Sequence, residues 1–233
     1  MVADDEVEGM TPEQLIAKYQ NLLGQSQIEA LEGIDKVNWS TVHHAHGEAT
    51  DFPILLLATF SNNERDREFA LRLLFETIWH QGTVYEASAY AVPFLFRALE
   101  TPETPNKTSI TILLACLADG QSYLAVHALS EKKWEKVWRE ILAEKGKELE
   151  IELARELENV NATRRAVGKG LHLLYPYLQD ENASSAVAKT LSFYPERKRE
   201  TIPLLEVAYS SVQDKYAKEE IQATLAKLRE TES

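Results

Sequence analysis

The residues best able to do chemistry in this chain are its clustered histidines. His43, His44 and His46 fall in one short segment, His43-His44-Ala45-His46, and His80 follows later. Zinc or nickel needs three or four converging N, O or S donors, and imidazole is among the commonest. The residue types are right, but the spacing does not make them converge. Adjacent His43 and His44 point in different directions in most backbones. There is no H-E-x-x-H and no histidine pair at i, i+4 on a helix. The expectation is loop histidines that hydrogen-bond to helix ends, with no metal and no cofactor.

Other chemistries fare no better. The single cysteine, Cys116, lies in the apolar run ITILLACLA, the setting of a buried thiol rather than of a nucleophile. Carboxylate pairs are plentiful but follow helical surface spacing, and acid–base work needs a sheltered pair with shifted pKa values. No P-loop, G-x-S-x-G or Rossmann fingerprint occurs. The basic clusters, Arg164-Arg165 with Lys169 and Arg197-Lys198-Arg199, are short and diluted by acids. A nucleic-acid groove would need a larger basic field. No catalytic residue is assigned.

The most distinctive local segment is Trp79-His80-Gln81-Gly82-Thr83-Val84-Tyr85-Glu86. One reading is structural. His80 meets the negative end of a helix dipole, Gly82 ends that helix in the left-handed region, and Thr83 with Glu86 caps the next. The other reading is a surface: Trp and Tyr are over-represented at binding hot spots. His43, His44, His46, Trp79, His80, Gln81, Tyr85 and Arg97 are therefore the candidate partner-binding positions, and both readings can hold together.

Helices must position these groups. From Phe52 to Leu99 the pattern is helix, turn, helix, tight turn, helix. The middle helix, spanning about residues 64–80, carries Glu68, Arg72 and Glu76 on one side and Phe69, Ala70, Leu73, Leu74, Thr77 and Ile78 on the other. The third has one basic residue, Arg97, between Glu86 and Glu100, so it must be covered on most sides. Further helices follow over residues 107–118, after 160, and over about residues 214–229. Residues 121–160 break the period and form either a degenerate repeat or an inserted helical pair, with insertion favoured. Their clearest stripe is Trp134, Val137, Trp138, Ile141 and Leu142. Gly168 and Gly170 are placed to let a neighbour approach closely, and Pro176 to kink a last turn. At the front, Thr11-Pro12-Glu13-Gln14 opens a helix with Leu15, Tyr19, Leu22 and Leu23 on one stripe, behind an acidic tail over residues 1–10 that reads as disordered. No strand pattern stands out.

The bulk numbers fit this picture. The 233 residues are 44% hydrophobic and 27% charged, with net charge −12. Residues 1–51 hold ten acids and two bases, so −8 of that charge falls in the first fifth. Such a field repels phosphate backbones and anionic lipid and suits a basic partner surface, or simply solubility. Apolar runs of about ten residues fall short of the roughly 20 that span a bilayer, and MVADDEVEGM lacks the pattern of a secretory leader. One cysteine fits a reducing compartment, so a cytoplasmic location is expected, with neither nucleic acid nor membrane as partner.

Phe52-Pro53-Ile54-Leu55, Val92-Pro93-Phe94-Leu95 and Ile202-Pro203-Leu204-Leu205 share the pattern apolar-Pro-x-Leu. The first two are about 40 residues apart, in the range of HEAT-type helical repeats. With the paired helices, they make the chain resemble HEAT-repeat proteins. His44-Ala45-His46-Gly47, Ile78 to Ala87 and Phe193-Tyr194-Pro195-Glu196 resemble a group of bacterial HEAT-repeat proteins, with His46 standing where that group has an aromatic. The resemblance implies an all-α fold, an α-solenoid of about four HEAT-like helical pairs with an N-terminal helix and a helical insertion. It implies one continuous domain over residues 11–233 and no activity. The function expected from it is a non-catalytic protein–protein scaffold or adaptor. Two alternatives stay open: a bilin-lyase-like, tetrapyrrole-handling HEAT protein, and an acidic inhibitor or immunity-type protein that masks a basic partner.

Overall fold

The computed structural model describes residues 24–230. The acidic tail and the helix expected from Thr11 lie outside the described residues. The architecture is all-α: helices dominate, and the only strands among the described residues are two hairpins of two-residue arms.

The order begins with α1 (Gln25–Ala30), a 3-10 turn at Ile34–Lys36, and an antiparallel hairpin of β1 (His43–His44) and β2 (Gly47–Glu48). Then come α2 (Phe52–Ala58) and α3 (Glu64–Thr77). A second hairpin follows, β3 (Trp79–His80) with β4 (Thr83–Val84). After it run α4 (Glu86–Glu100), α5 (Lys107–Asp119), α6 (Tyr123–His127), α7 (Lys132–Glu144) and α8 (Leu149–Lys169). The chain ends with a 3-10 segment Leu171–Gln179, α9 (Ser184–Leu191), a 3-10 turn Pro195–Arg197, α10 (Lys198–Ser211) and α11 (Lys215–Glu230).

Helix α4 is the hub. It packs most extensively on α8, then on α5, and also on α1, β1 and α2. Most of its side chains are therefore buried, including Ala87, Ala91, Val92, Phe94, Leu95, Phe96, Ala98 and Leu99. Beyond it α5 packs on α8 and α9, and α9 on α11. One continuous core results, with Phe52, Leu56, Leu74, Leu95, Ile110, Leu113, Leu114, Leu117 and Leu171 among its fully buried side chains. Trp39 stacks 4.6 Å from Phe52 and 6.1 Å from Phe94, and its indole N–H donates to the Ile34 carbonyl at 2.8 Å. That bond satisfies the one polar atom of a buried indole.

The two glycines do what their spacing suggests. A methyl group at Gly168 would lie 2.9 Å from the Tyr194 ring, and one at Gly170 would lie 2.6 Å from the Phe96 ring. Each glycine admits an aromatic from a neighbouring element onto the end of α8.

Residues 121–160 form α6, α7 and the first half of α8. Helices α6 and α7 stand on the first half of α8, whose second half runs on into the main core. Leu124, Ala128, Leu142 and Leu149 make a second, small core there, flanked by Tyr123, Trp138 and Leu153. Gly146, at φ +67°, turns the chain between α7 and α8.

Several local expectations change. Helix α3 ends at Thr77, because residues 79–84 turn back as a hairpin. The cap of α4 is Tyr85 with Ser88, not Thr83 with Glu86: the Tyr85 N–H donates to Ser88 Oγ at 2.9 Å. Pro176 lies within a 3-10 segment rather than kinking an α-helix. Pro53 starts α2, whereas Pro93 and Pro203 are inside α4 and α10. The shared apolar-Pro-x-Leu pattern thus falls at different positions in its helices.

Candidate functional site

The two hairpins meet at the C-terminal end of α3 and the start of α4. Thr77 is the junction: its carbonyl, left open by the end of α3, accepts from the Ala45 N–H at 3.0 Å. The first hairpin thereby closes one of the orphan carbonyls of a helix terminus. His80 closes another. Its Nδ1 lies 3.1 Å from the Glu76 carbonyl, which can only accept, so Nδ1 carries the proton.

His44 is buried and fully engaged. The His46 N–H donates to its Nδ1 at 3.0 Å, so that nitrogen is the acceptor and Nε2 holds the proton. Nε2 donates to Asp51 Oδ1 at 2.9 Å, which fastens the first hairpin to the start of α2. A histidine whose lone pair is occupied by a backbone N–H cannot act as a general base. The His–Asp pair is a structural clamp.

His43 points to solvent opposite Glu48. His46 is exposed, and its ring lies edge-on 5.3 Å from His80 and 6.1 Å from His44. Three imidazoles are thus neighbours, but two are committed to helix ends or a carboxylate. Among the described residues no group of three or more His, Cys, Asp or Glu is arranged to hold a metal ion.

The second hairpin turns at Gln81 and Gly82, with φ +51° and +91°. Positive φ at both central residues is the mark of a type I′ turn, which matches the twist of a tight hairpin. Gln81 is exposed at its tip. Residue 121 adds to the hairpin: Val84 N–H donates to the Gln121 carbonyl at 3.0 Å, and Gln121 N–H to the Gly82 carbonyl at 2.9 Å. Trp79 stacks edge-on on Phe75 at 6.2 Å and leans on the core. It is half-buried, so much of its ring supports the hairpin.

The Tyr85 hydroxyl shares a 2.8 Å hydrogen bond with Thr83 Oγ1. Burial holds its pKa above the usual value, with smaller contributions from Glu156 and Tyr123, against the Thr83 bond. Glu156 closes this corner by capping α6: its Oε2 accepts from Ser122 Oγ at 2.7 Å and from the Leu124 N–H at 2.8 Å. The site is a corner of aromatic and imidazole groups on two tight hairpins.

Arg97 belongs elsewhere. It lies about 18 Å from Tyr85 along α4 at 1.5 Å per residue. Its guanidinium sits over the Phe94 ring at 4.5 Å and donates to the Glu32 carbonyl at 2.5 Å, tying α4 to the chain after α1. What joins the two ends is a stripe that the sequence reading did not single out. Besides Ala89, the positions of α4 that are not buried are Glu86, Tyr90, Pro93, Arg97 and Glu100. Their spacing of four, three, four and three residues puts them on one face. Tyr90, an exposed aromatic one turn beyond the hairpin, is the position missed. The signal was available as helical spacing from Glu86 and Arg97.

No family model, no curated protein and no solved structure matches this chain.

Proposed function

We propose that the protein is a non-catalytic protein–protein adaptor built as a HEAT-like α-solenoid. The architecture is supported by the run of neighbour contacts from α4 through α5 and α8 to α9 and α11, in which each element covers the next. The function is supported by this architecture and by one surface.

The observation that carries the reading is the exposed face of α4, from Glu86 and Tyr90 to Arg97, continuing into the hairpin tip at Gln81 with His80 and His46 beside it. It offers an aromatic ring, an amide and imidazoles, with acids at both ends of α4. Pre-organised groups of this kind bind at low entropic cost. Trp79 and Tyr85 hold this surface in place from beneath.

The test is side-by-side capture from host lysate with the wild type, Tyr90→Ala and Gln81→Ala. Both replaced side chains are exposed, so the circular dichroism of the variants should match the wild type. One protein retained by the wild type and lost by both variants supports the surface. Capture unchanged by either variant refutes it.

A further inference from the structure

Helix α7 carries an apolar face that the other described residues only half cover. Leu142 and Trp138 turn inward to the small core with Tyr123, Leu124 and Leu149, and the Trp138 ring meets Tyr123 edge-on at 5.6 Å. Trp134, Val137 and Ile141 form the adjoining shoulder, about 60° of arc at 100° per residue. Trp134 is 43% exposed and Val137 39%, and Ile141 is half-buried. Val126 of α6 and Leu129, in the loop leading into α7, are exposed as well. Single exposed apolar residues are ordinary; a tryptophan within an aligned row on a surface helix is not.

The charges beside this shoulder identify what it fits. On the flank next to Val137 lie Lys133, near the start of α7, and Glu140 and Glu144, near its end. The base is thus at one end of the flank and the acids are at the other. A second helix of the same sequence laid antiparallel places its end against this start. About a two-fold axis passing between Val137 and Trp138, Trp134 meets Ile141 of the second copy. The same operation brings Lys133 beside Glu140 and Glu144 of the second copy, and the reverse. Flanking charges of this kind set orientation in paired helices. Lys133 pairs with Glu131 at 2.9 Å and stands 5.3 Å from the centre of the Trp134 ring, and Lys136 lies 3.9 Å from Glu140, all on exposed side chains. Such pairs are weak and readily exchanged.

We infer that the exposed shoulder of α7 is a self-association surface, on which two copies of this chain pack antiparallel through Trp134, Val137 and Ile141. The isologous contact closes on itself, so it gives a dimer and not a filament. One 13-residue helix per copy is about 20 Å long. That is a small interface, and small interfaces give weak, concentration-dependent association. The surface lies apart from the α4 face and does not depend on the adaptor reading.

Sedimentation velocity over about a hundredfold range of concentration tests it. The wild type should pass from monomer to dimer. Val137→Glu, at a partly exposed position, should stay monomeric with unchanged circular dichroism. Lys133→Glu should also weaken the dimer, by placing acid against acid. Combining Lys133→Glu with Glu140→Lys and Glu144→Lys reverses every flank charge and should restore it. A wild type that stays monomeric throughout overturns the proposal. So does a dimer that Val137→Glu leaves intact. A dimer lost in Val137→Glu but indifferent to the charge reversals overturns the antiparallel arrangement.

Discussion

The ring of Phe96 lies directly on the backbone of Gly170, so close that a methyl group there would sit 2.6 Å from two ring carbons. This contact locks the middle of α4 to the end of α8, the most extensive helix pair in the molecule. Phe96 is buried and cannot swing aside. Gly170→Ala should destabilise the fold by about 1–3 kcal/mol, the usual cost of overpacking. Adding Phe96→Leu should recover part of it. Chemical denaturation of the two single variants and the double variant checks this, because contacting residues give non-additive changes.

Gln81 occupies a left-handed position where a side chain costs energy, and Gly82 one that suits glycine. Gln81→Gly should therefore stabilise the protein slightly, and Gly82→Ala should destabilise it by about 1 kcal/mol. Nothing lies near Gly82 for a methyl group to strike, so the effect is conformational alone. Thermal melts of the two variants should move in opposite directions.

Glu156 holds the start of α6 by two charge-assisted bonds. Glu156→Gln keeps the shape and removes the charge, and should cost about 1 kcal/mol. Because α6 and α7 have their own small core, the loss should appear first there. Hydrogen exchange should speed up over residues 123–145 while α4 and α5 stay protected.

Burial pushes the Cys116 thiol from its ordinary 9.0 to about 11, with Asp119 adding to the rise and Lys189 opposing it. Burial likewise raises the hydroxyls of Tyr194 and Tyr85. Below pH 9 both folded and unfolded chains keep the thiol proton, and this group gives no pH dependence. As pH rises from 9 towards 11 the unfolded chain releases the proton first, so stability must fall. Urea midpoints should decline across this window and stay level for Cys116 at neutral pH. The native thiol should react slowly with a thiol reagent at pH 8 and quickly once unfolded.

The hairpins explain why the local reading of residues 78–86 was partly right and partly displaced. Gly82 is left-handed, a preference that the residue type carries itself. Its role was not legible, because a helix end and a type I′ turn both ask for glycine. Thr83 and Glu86 have the form of a capping box, yet the Val84 N–H donates to the carbonyl of Gln121, distant in sequence. That bond holds residues 83 and 84 extended and moves the cap to Tyr85 and Ser88. His44 is similar: its residue type suggested a helix-end partner, while Asp51 and the His46 N–H were fixed only by the fold.

Apolar residues at helical spacing, Gly and Pro punctuation and the scarcity of charge between Glu86 and Glu100 determined the all-α class, most element positions and the burial of α4. These signals are local, and each is set by the chain's own periodicity. The tertiary structure decided the rest: which histidine is clamped, that Arg97 stands apart from the hairpin corner, and that Tyr90 shares one exposed face with Glu86 and Arg97. It also decided that, among the described residues, half of the apolar face of α7 stays uncovered. The physical reason is that a pattern can say a side chain is apolar or charged, but only packing of distant segments says what covers it.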